Sequence, residues 1–489
     1  MNKKMLTSNL EDNLNMIYSS ITVNFNFIKR ELLLKGDLKC TLLYIDGLSQ
    51  QSYIEASIIK PLLSQLDCDM TKVANPIDYL VKKCITLSDL ETSNDVDKLL
   101  LYLKRGKCIV LIENEDMAIL CNTTGGEKRA VGESTCEKSL KGGKEAFVEN
   151  LMTNITLVQN KLRNDNLKIV HYLLGEKNQV DAVLLYIDNI IDPKVLNEIK
   201  NRISTIKAPH IPDTGYINQL IESFPYSFFP QCKSTEKPDK VISDIIQGKA
   251  AMIIDGSPIA LIMPAVFIEF FQGFEDYSQR IVLVNFDRII RLLATILILT
   301  LSSVYLVLLM YNSELIPIAL QKVIYDTRIG IPLPPFFEIL IMELIVDFLR
   351  EGGLRLPTPI GQTLSIVGGI VLGDSATKAG LVSPTTLVVV SITVISTFLI
   401  PNYEMALSIR VLRYFMLVMT AFFALFGLII GLYVILLKLI KMDSFGVPYF
   451  TPFAPLRFKD LKDSIIRAPI KYFSKPAVSF KVSKRKSEK

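Results

Sequence analysis

Leu292 to Tyr311 reads LLATILILTLSSVYLVLLMY, twenty residues without a charge. As a helix rising 1.5 Å per residue this run is about 30 Å long, the thickness of a bilayer's hydrocarbon core. Two further uncharged runs follow: 25 residues from Ala379 to Tyr403, around LVVVSITVISTFLI, and 24 from Tyr414 to Leu437. Three such runs within about 150 residues exceed what the buried helices of a soluble protein need, so residues 286–440 are expected to form a transmembrane helical domain.

The flanks of these runs predict orientation. Arg280, Arg288 and Arg291 precede the first run, and the tail 441–489 holds twelve Lys or Arg against four Asp or Glu, a local +8 in a chain whose net charge is +5. Basic flanks stay on the cytosolic side, so both ends of the domain are expected there and the number of crossings should be even. Leu356 to Gly373, LPTPIGQTLSIVGGIVLG, is the leading fourth crossing. Its competitor is Phe336 to Leu349, FFEILIMELIVDFL, in which Glu343 and Asp347 lie four apart on one helical face. A carboxylate facing lipid at mid-depth costs about 3 kcal/mol. That stretch therefore suits an interfacial helix or one beside a water-filled path.

Glu343, Asp347, Ile366, Val367 and Ile370 are the candidate ion path. An acidic mouth favours cations, three apolar side chains can close a pore by dewetting, and Gly361, Gly368, Gly369 and Gly373 let helices from several copies pack closely. The plainer expectation is that the glycines serve packing within one subunit while the carboxylates lie at the membrane surface.

The first 285 residues are of another kind. LLYID at Leu42–Asp46 recurs at Leu184–Asp188, and Gly106-Lys107 before CIVLIENEDMAIL recurs as Gly248-Lys249 before AAMIIDGSPIALI, both 142 residues later. Two matches in one register predict a duplicated α/β region of two subdomains, 1–140 and 141–285, each with a strand, a helical stretch and two short strands. Phe147, Leu151, Ile155 and Leu162 recur at helical spacing and predict a linking helix within 145–167. The polar N-terminus, Met1 to Ser20, lacks an apolar signal core, so the region is expected in the cytosol with free thiols.

Recognisable chemistry is sparse. The seven cysteines, Cys40, Cys68, Cys84, Cys108, Cys121, Cys136 and Cys232, show no paired spacing, and His171 and His210 are the only histidines, which argues against zinc. A phosphate loop at Gly142-Gly143-Lys144 would need a glycine where Lys138 stands and a hydroxyl where Glu145 stands. Asp46 and Asp188 end strands and read as turn caps. Neither an enzyme nor a cofactor or metal is expected, nor is a nucleic-acid partner.

Laid end to end, the motifs closely resemble the A subunits of bacterial spore germinant receptors, the GerA family. They begin at Glu137-Lys138-Ser139 with GGKEAFVENLMTNITLVQNKL. They continue through DTGYINQLIESFPYSFFPQ (213–231), STEKPDKV (234–241), DGSPIALIMPAVFIEFFQGFEDY (255–277), LREGGLRLPTPIGQTLSIVGG (349–369), AGLVSPTTLVVV, SFGVPYFTPFAPL (444–456) and DLKDSIIRAPI (460–470). Before residue 130 the likeness is mainly one of arrangement. The resemblance implies a sensor of the spore inner membrane that works with a transporter-like B subunit and a lipoprotein C subunit and responds to amino acids, sugars or nucleosides. It further implies an oligomeric path releasing monovalent cations, with B the favoured germinant-binding partner. A secondary transporter is the competing class, but its repeats would lie within the membrane part and not before it.

Overall fold

The computed structural model describes the chain except residues 1–4, 21–23, 65, 67, 74, 126–136, 138–142, 355–372, 459 and 470–489. Two compact units emerge, one holding residues up to 222 and 232–264, the other 223–231 and 265 onward.

The first unit contains two five-stranded antiparallel sheets. The first is built from β1 (Phe27–Leu34), β2 (Leu38–Ile45), β3 (Leu90–Ser93), β4 (Cys108–Ile112) and β5 (Ala118–Cys121), in the order β1-β2-β4-β5-β3. The second, from β6 (Leu167–Leu174), β7 (Val180–Ile187), β8 (Lys233–Thr235), β9 (Ala250–Ile254) and β10 (Ala260–Met263), repeats it as β6-β7-β9-β10-β8. The register repeats as well. Cys40 pairs with Ile112, Cys108 with Cys121 and Ser93 with Ala118; Ala182 pairs with Ile254, Ala250 with Met263 and Thr235 with Ala260, each position 142 later. Only the first hairpin differs, Leu34 facing Leu38 and Leu174 facing Val180, because the second turn is two residues longer.

Alternation along the strands sends successive side chains to opposite faces, and both faces are buried. On one face of the first sheet Leu43, Ile45, Ile109, Leu111 and Leu120 pack under helices α1 (Leu10–Ser20) and α2 (Val96–Leu103). In the second sheet Leu185, Ile187, Ala251, Ile253 and Ile262 pack under α3 (Leu151–Lys161), followed in the chain by α4 (Pro193–Ser204), α5 (Thr214–Ile221) and α6 (Pro238–Ile246), of which α6 shares this core. The expected linking helix is thus the opening helix of the second repeat, the counterpart of α1. A buried asparagine opens each repeat: Asn13 clasps the backbone N–H and C=O of Thr7, and Asn154 those of Val148. The other face of the first sheet is covered by the helical stretches 51–64 and 76–84 through Ile54, Ile58, Leu62 and Leu80. Cys40, Cys108 and Cys121 are buried in that sheet, and burial holds the thiols of Cys40 and Cys121 up at about 12, where they stay protonated and unreactive.

The second unit is helical: α7 (Ile281–Met310), α8 (Ile318–Arg328), α9 (Pro335–Leu354), α10 (Pro384–Thr397) and α11 (Tyr403–Lys441). α7, and the stretch 403–441 taken as a whole, are long and apolar enough to cross a membrane by length and composition. Three differences from expectation stand out. α7 starts eleven residues before Leu292. α10 spans 14 residues of the expected 25, because Ser383 caps it with Pro384 in the first turn and Asn402 caps the next helix. The third run, Tyr414–Leu437, is a hairpin: Ala424 has φ 54° and ψ −135°, and Gly431 lies against the Met416 thioether. The two arms, 403–423 and 425–441, run antiparallel, so Ser408 and Lys438 both meet the segment 226–228.

Candidate functional site

The helices of the second unit carry their polarity inside out. On α9 the outward residues are apolar, Phe337 and Phe348 being 50% and 69% exposed, while Glu338 and Glu343 are fully buried. On α10 Val388 and Ile395 face outward while Thr386, Thr393 and Ser396 face in, and on α11 Phe422 and Phe426 face outward while Arg413 and Thr420 are buried. A soluble protein does the reverse.

Three charged clusters result. In the middle, Ser302 of α7 donates to Glu343 Oε1 of α9 at 2.7 Å. Arg413 of α11 places Nε 3.2 Å from Glu343 Oε2 and Nη2 3.7 Å from Asp347 Oδ2. Tyr414 donates to Asp347 Oδ2 at 2.6 Å, and Arg410 to Oδ1 at 3.4 Å. Ser302 lies ten residues after Leu292, and Arg413 ten after Tyr403, so the cluster sits about 15 Å along the apolar helices from one end. Contact geometry here is incomplete: Glu343 Oε2 and Arg413 Nε and Nη2 are buried without a hydrogen-bond partner among the described residues.

At the end where α7 begins, Asp276 accepts from Arg288 Nε at 3.0 Å and Arg291 Nη1 at 2.9 Å, and Arg288 Nη1 donates to Asp463 at 2.9 Å. Arg467 donates to the Asp276 carbonyl at 2.5 Å and exchanges two backbone hydrogen bonds with the Asn285 side chain. The segment after α11 is therefore clamped to the start of α7. The segment 223–231 joins the same end of the unit: Phe229 packs with Phe267 and Tyr449, and the Tyr449 hydroxyl donates to the Pro230 carbonyl at 2.7 Å. At the opposite end Glu338 pairs with Arg328 and accepts from the Ser383 N–H at 2.6 Å, capping α10.

In the first unit the Gly-Lys marker has a local cause. Gly106 and Gly248, at φ +84° and +95°, end α2 and α6 in the left-handed conformation that glycine adopts freely. The lysine that follows is buried in each repeat. Lys107 lies 4.6 Å from the Tyr102 ring centroid with Asp89 and Glu91 at 3.4 and 3.5 Å. Lys249 pairs with Asp244 at 2.6 Å, which also takes Lys233 at 3.1 Å. Asp46 caps its own turn through the Gly47 N–H at 3.0 Å, as expected, and lies beside a cleft of about 580 Å³ shared with Gln50, Asn150 and Thr153.

Of the sequence-derived ion-path residues, Glu343 and Asp347 come together around Arg413, whereas Ile366, Val367 and Ile370 lie outside the described residues. Sequence reasoning did not single out Arg410, Arg413 and Tyr414. The signal was there, two arginines interrupting the approach to an otherwise uncharged run, where a charge needs a partner.

A model of the Bacillus/Clostridium GerA spore germination protein family matches residues 15–478. The chain is 36% identical over 427 residues to spore germination protein KA of Bacillus subtilis, covering 87% of this chain and 78% of that one. It is 32% identical to the uncharacterized membrane protein YfkQ of the same organism, over 95% and 90% of the two chains. A crystal structure of the N-terminal domain of the A subunit of the Bacillus megaterium spore germinant receptor GerK3 aligns with TM-score 0.43 and 25% identity over 55% of this chain and 99% of that one.

Proposed function

From the premise that this chain belongs to the Bacillus/Clostridium GerA spore germination protein family, we propose that it is the A subunit of a nutrient germinant receptor in the spore inner membrane, where it converts sensing into ion release. Its partners are then a transporter-like B subunit and a lipoprotein C subunit. The observation that carries the membrane reading is the inverted polarity of α9, α10 and α11. Apolar side chains point outward because the surroundings are apolar, and carboxylates turn inward because lipid cannot solvate them. The clamp between the start of α7 and residues 463–467 supports the reading that both termini share the cytosolic side.

The ion-release step rests on the charged cluster at about mid-depth, where Glu343 and Asp347 are the acidic groups of a cation path. One chain with few crossings is too thin to enclose such a path, so several copies surround it, and Ile366, Val367 and Ile370 supply its constriction. Two experiments test the proposal. Spores lacking this chain, challenged with a mixture of amino acids, glucose and inosine, should release less K⁺ than complemented spores; equal release removes the receptor role. Reporters fused at residues 250 and 470 should be shielded on the same side, and opposite sides would refute the even-crossing topology.

A further inference from the structure

Glu343 and Asp347 sit one turn apart on α9, and both face a single guanidinium that comes from another helix. Arg413 is 2% exposed and Glu343 is fully buried, yet Nε and Nη2 of the one and Oε2 of the other make no hydrogen bond among the described residues. With Arg410 also on Asp347, two guanidinium groups offset the two carboxylates, so charge neutrality is met while hydrogen bonding is not. A pair selected for stability alone would close both gaps, since each buried group left unsatisfied is destabilising. The oxygen atoms gathered at and beside these carboxylates are those a dehydrated monovalent cation would use: the Glu343 and Asp347 carboxylates, the Ser302 hydroxyl on Glu343 and the Tyr414 hydroxyl on Asp347.

From this geometry we infer that Arg413 is a tethered stand-in for a cation, occupying a monovalent metal-ion site formed by Glu343, Asp347 and Ser302 and keeping that site closed to ions. The inference rests on the ion-release reading above and adds its gate. Opening withdraws the guanidinium from Glu343, the partner with which it makes no hydrogen bond. Arg410 and Tyr414 hold Asp347 from the same arm of α11, so a displacement of that arm moves all three groups together. An incoming cation then restores the neutrality that Arg413 gives up.

The test uses vesicles holding the full receptor, this chain with its partner subunits, and a fluorophore quenched by entering Tl⁺. Wild-type receptor should admit Tl⁺ after addition of amino acids, glucose and inosine, and little before. Arg413→Met should admit Tl⁺ without nutrients at least tenfold faster than wild type, and Arg413→Lys, which returns a cation to the site, should restore closure. The triple variant Arg413→Met, Glu343→Gln, Asp347→Asn, which leaves the site without a carboxylate, should admit none in either condition. An assembled Arg413→Met receptor as tight as wild type overturns the inference, as does an Arg413→Lys receptor that leaks equally. Should Arg413→Met fail to assemble with its partners, the triple variant decides, because normal nutrient-triggered entry through it shows that the carboxylates form no cation site. A wild-type receptor that passes no Tl⁺ with nutrients fails differently: it overturns the conduction reading, and the gate with it.

Discussion

Replacing Asp244 by Asn is expected to loosen the second repeat by an amount that can be worked from its surroundings. The carboxylate is buried between Lys249 at 2.6 Å and Lys233 at 3.1 Å. Burial pushes its pKa up, but the two ammonium groups together pull it further down, to about 2. Against about 3.9 in an unfolded chain, that is on the order of 2–3 kcal/mol of folded-state preference for the charged form. Because the folded pKa is the lower one, the contribution is full above about pH 4 and is lost as pH falls through about 2. In full-length protein in detergent at pH 7, amide exchange in β7 and β9 should therefore be roughly ten- to a hundredfold faster in Asp244→Asn than in wild type. Corrected for intrinsic rates, wild-type protection should fall between pH 4 and 2, while the variant should stay flat. The first repeat supplies a rescue: its counterparts of Lys233 and Asp244 are Glu91 and Tyr102, so the double variant Lys233→Glu with Asp244→Tyr should give Lys249 two of the partners that Lys107 has and recover part of the protection. Exchange within twofold of wild type at pH 7, with no difference in acid, would refute the claim that this ion triad stabilises the sheet.

Asn154→Ala removes both hydrogen bonds that clasp the half-buried Val148 backbone and should lower stability by about 1–2 kcal/mol, seen as faster exchange at the start of α3; Asn13→Ala should do the same, more weakly, at the exposed Thr7 of the first repeat. Cysteines at Met416 and Gly431 should form a disulfide on mild oxidation, because the hairpin brings them together; in a straight helix they would be about 22 Å apart and would not react. Ala424→Gly relieves a positive φ and should raise the melting temperature in detergent, by an amount matching about 1 kcal/mol. Phe229→Ala empties an aromatic site at the base of the helical unit and should cost about 3–4 kcal/mol, read as a lower melting temperature.

Much of the first unit was legible because duplication leaves a mark that does not depend on packing. The 142-residue offset, found from LLYID and Gly-Lys, also governs strand pairing. Of the edge strands, β3 and β8 were not legible: they are four and three residues long, too short for alternation to register. The Gly-Lys marker was seen, but not its meaning. Nothing in the dipeptide indicates that the lysine is buried, since its partners, Glu91 and Tyr102 in one repeat and Asp244 in the other, come from other elements. In the second unit Glu343 and Asp347 were visible as neighbours on one helical face, since spacing of four fixes that whatever surrounds the helix.

By itself, then, the sequence determined the division into a duplicated α/β region and an apolar helical one, the kinship to germinant-receptor A subunits, and the pairing of two carboxylates on one helix. The kinship rests on motifs that resemble that family's, read directly along the chain, and the other two depend on composition, periodicity and repetition, which are local or self-referential. Only the tertiary structure decided that the run at Tyr414–Leu437 folds back at Ala424, since hydropathy records how apolar a helix is and not which way it runs. It alone decided that the carboxylates turn inward to Arg413, 70 residues beyond Glu343, because a contact between helices is set by how they pack and not by any spacing along the chain.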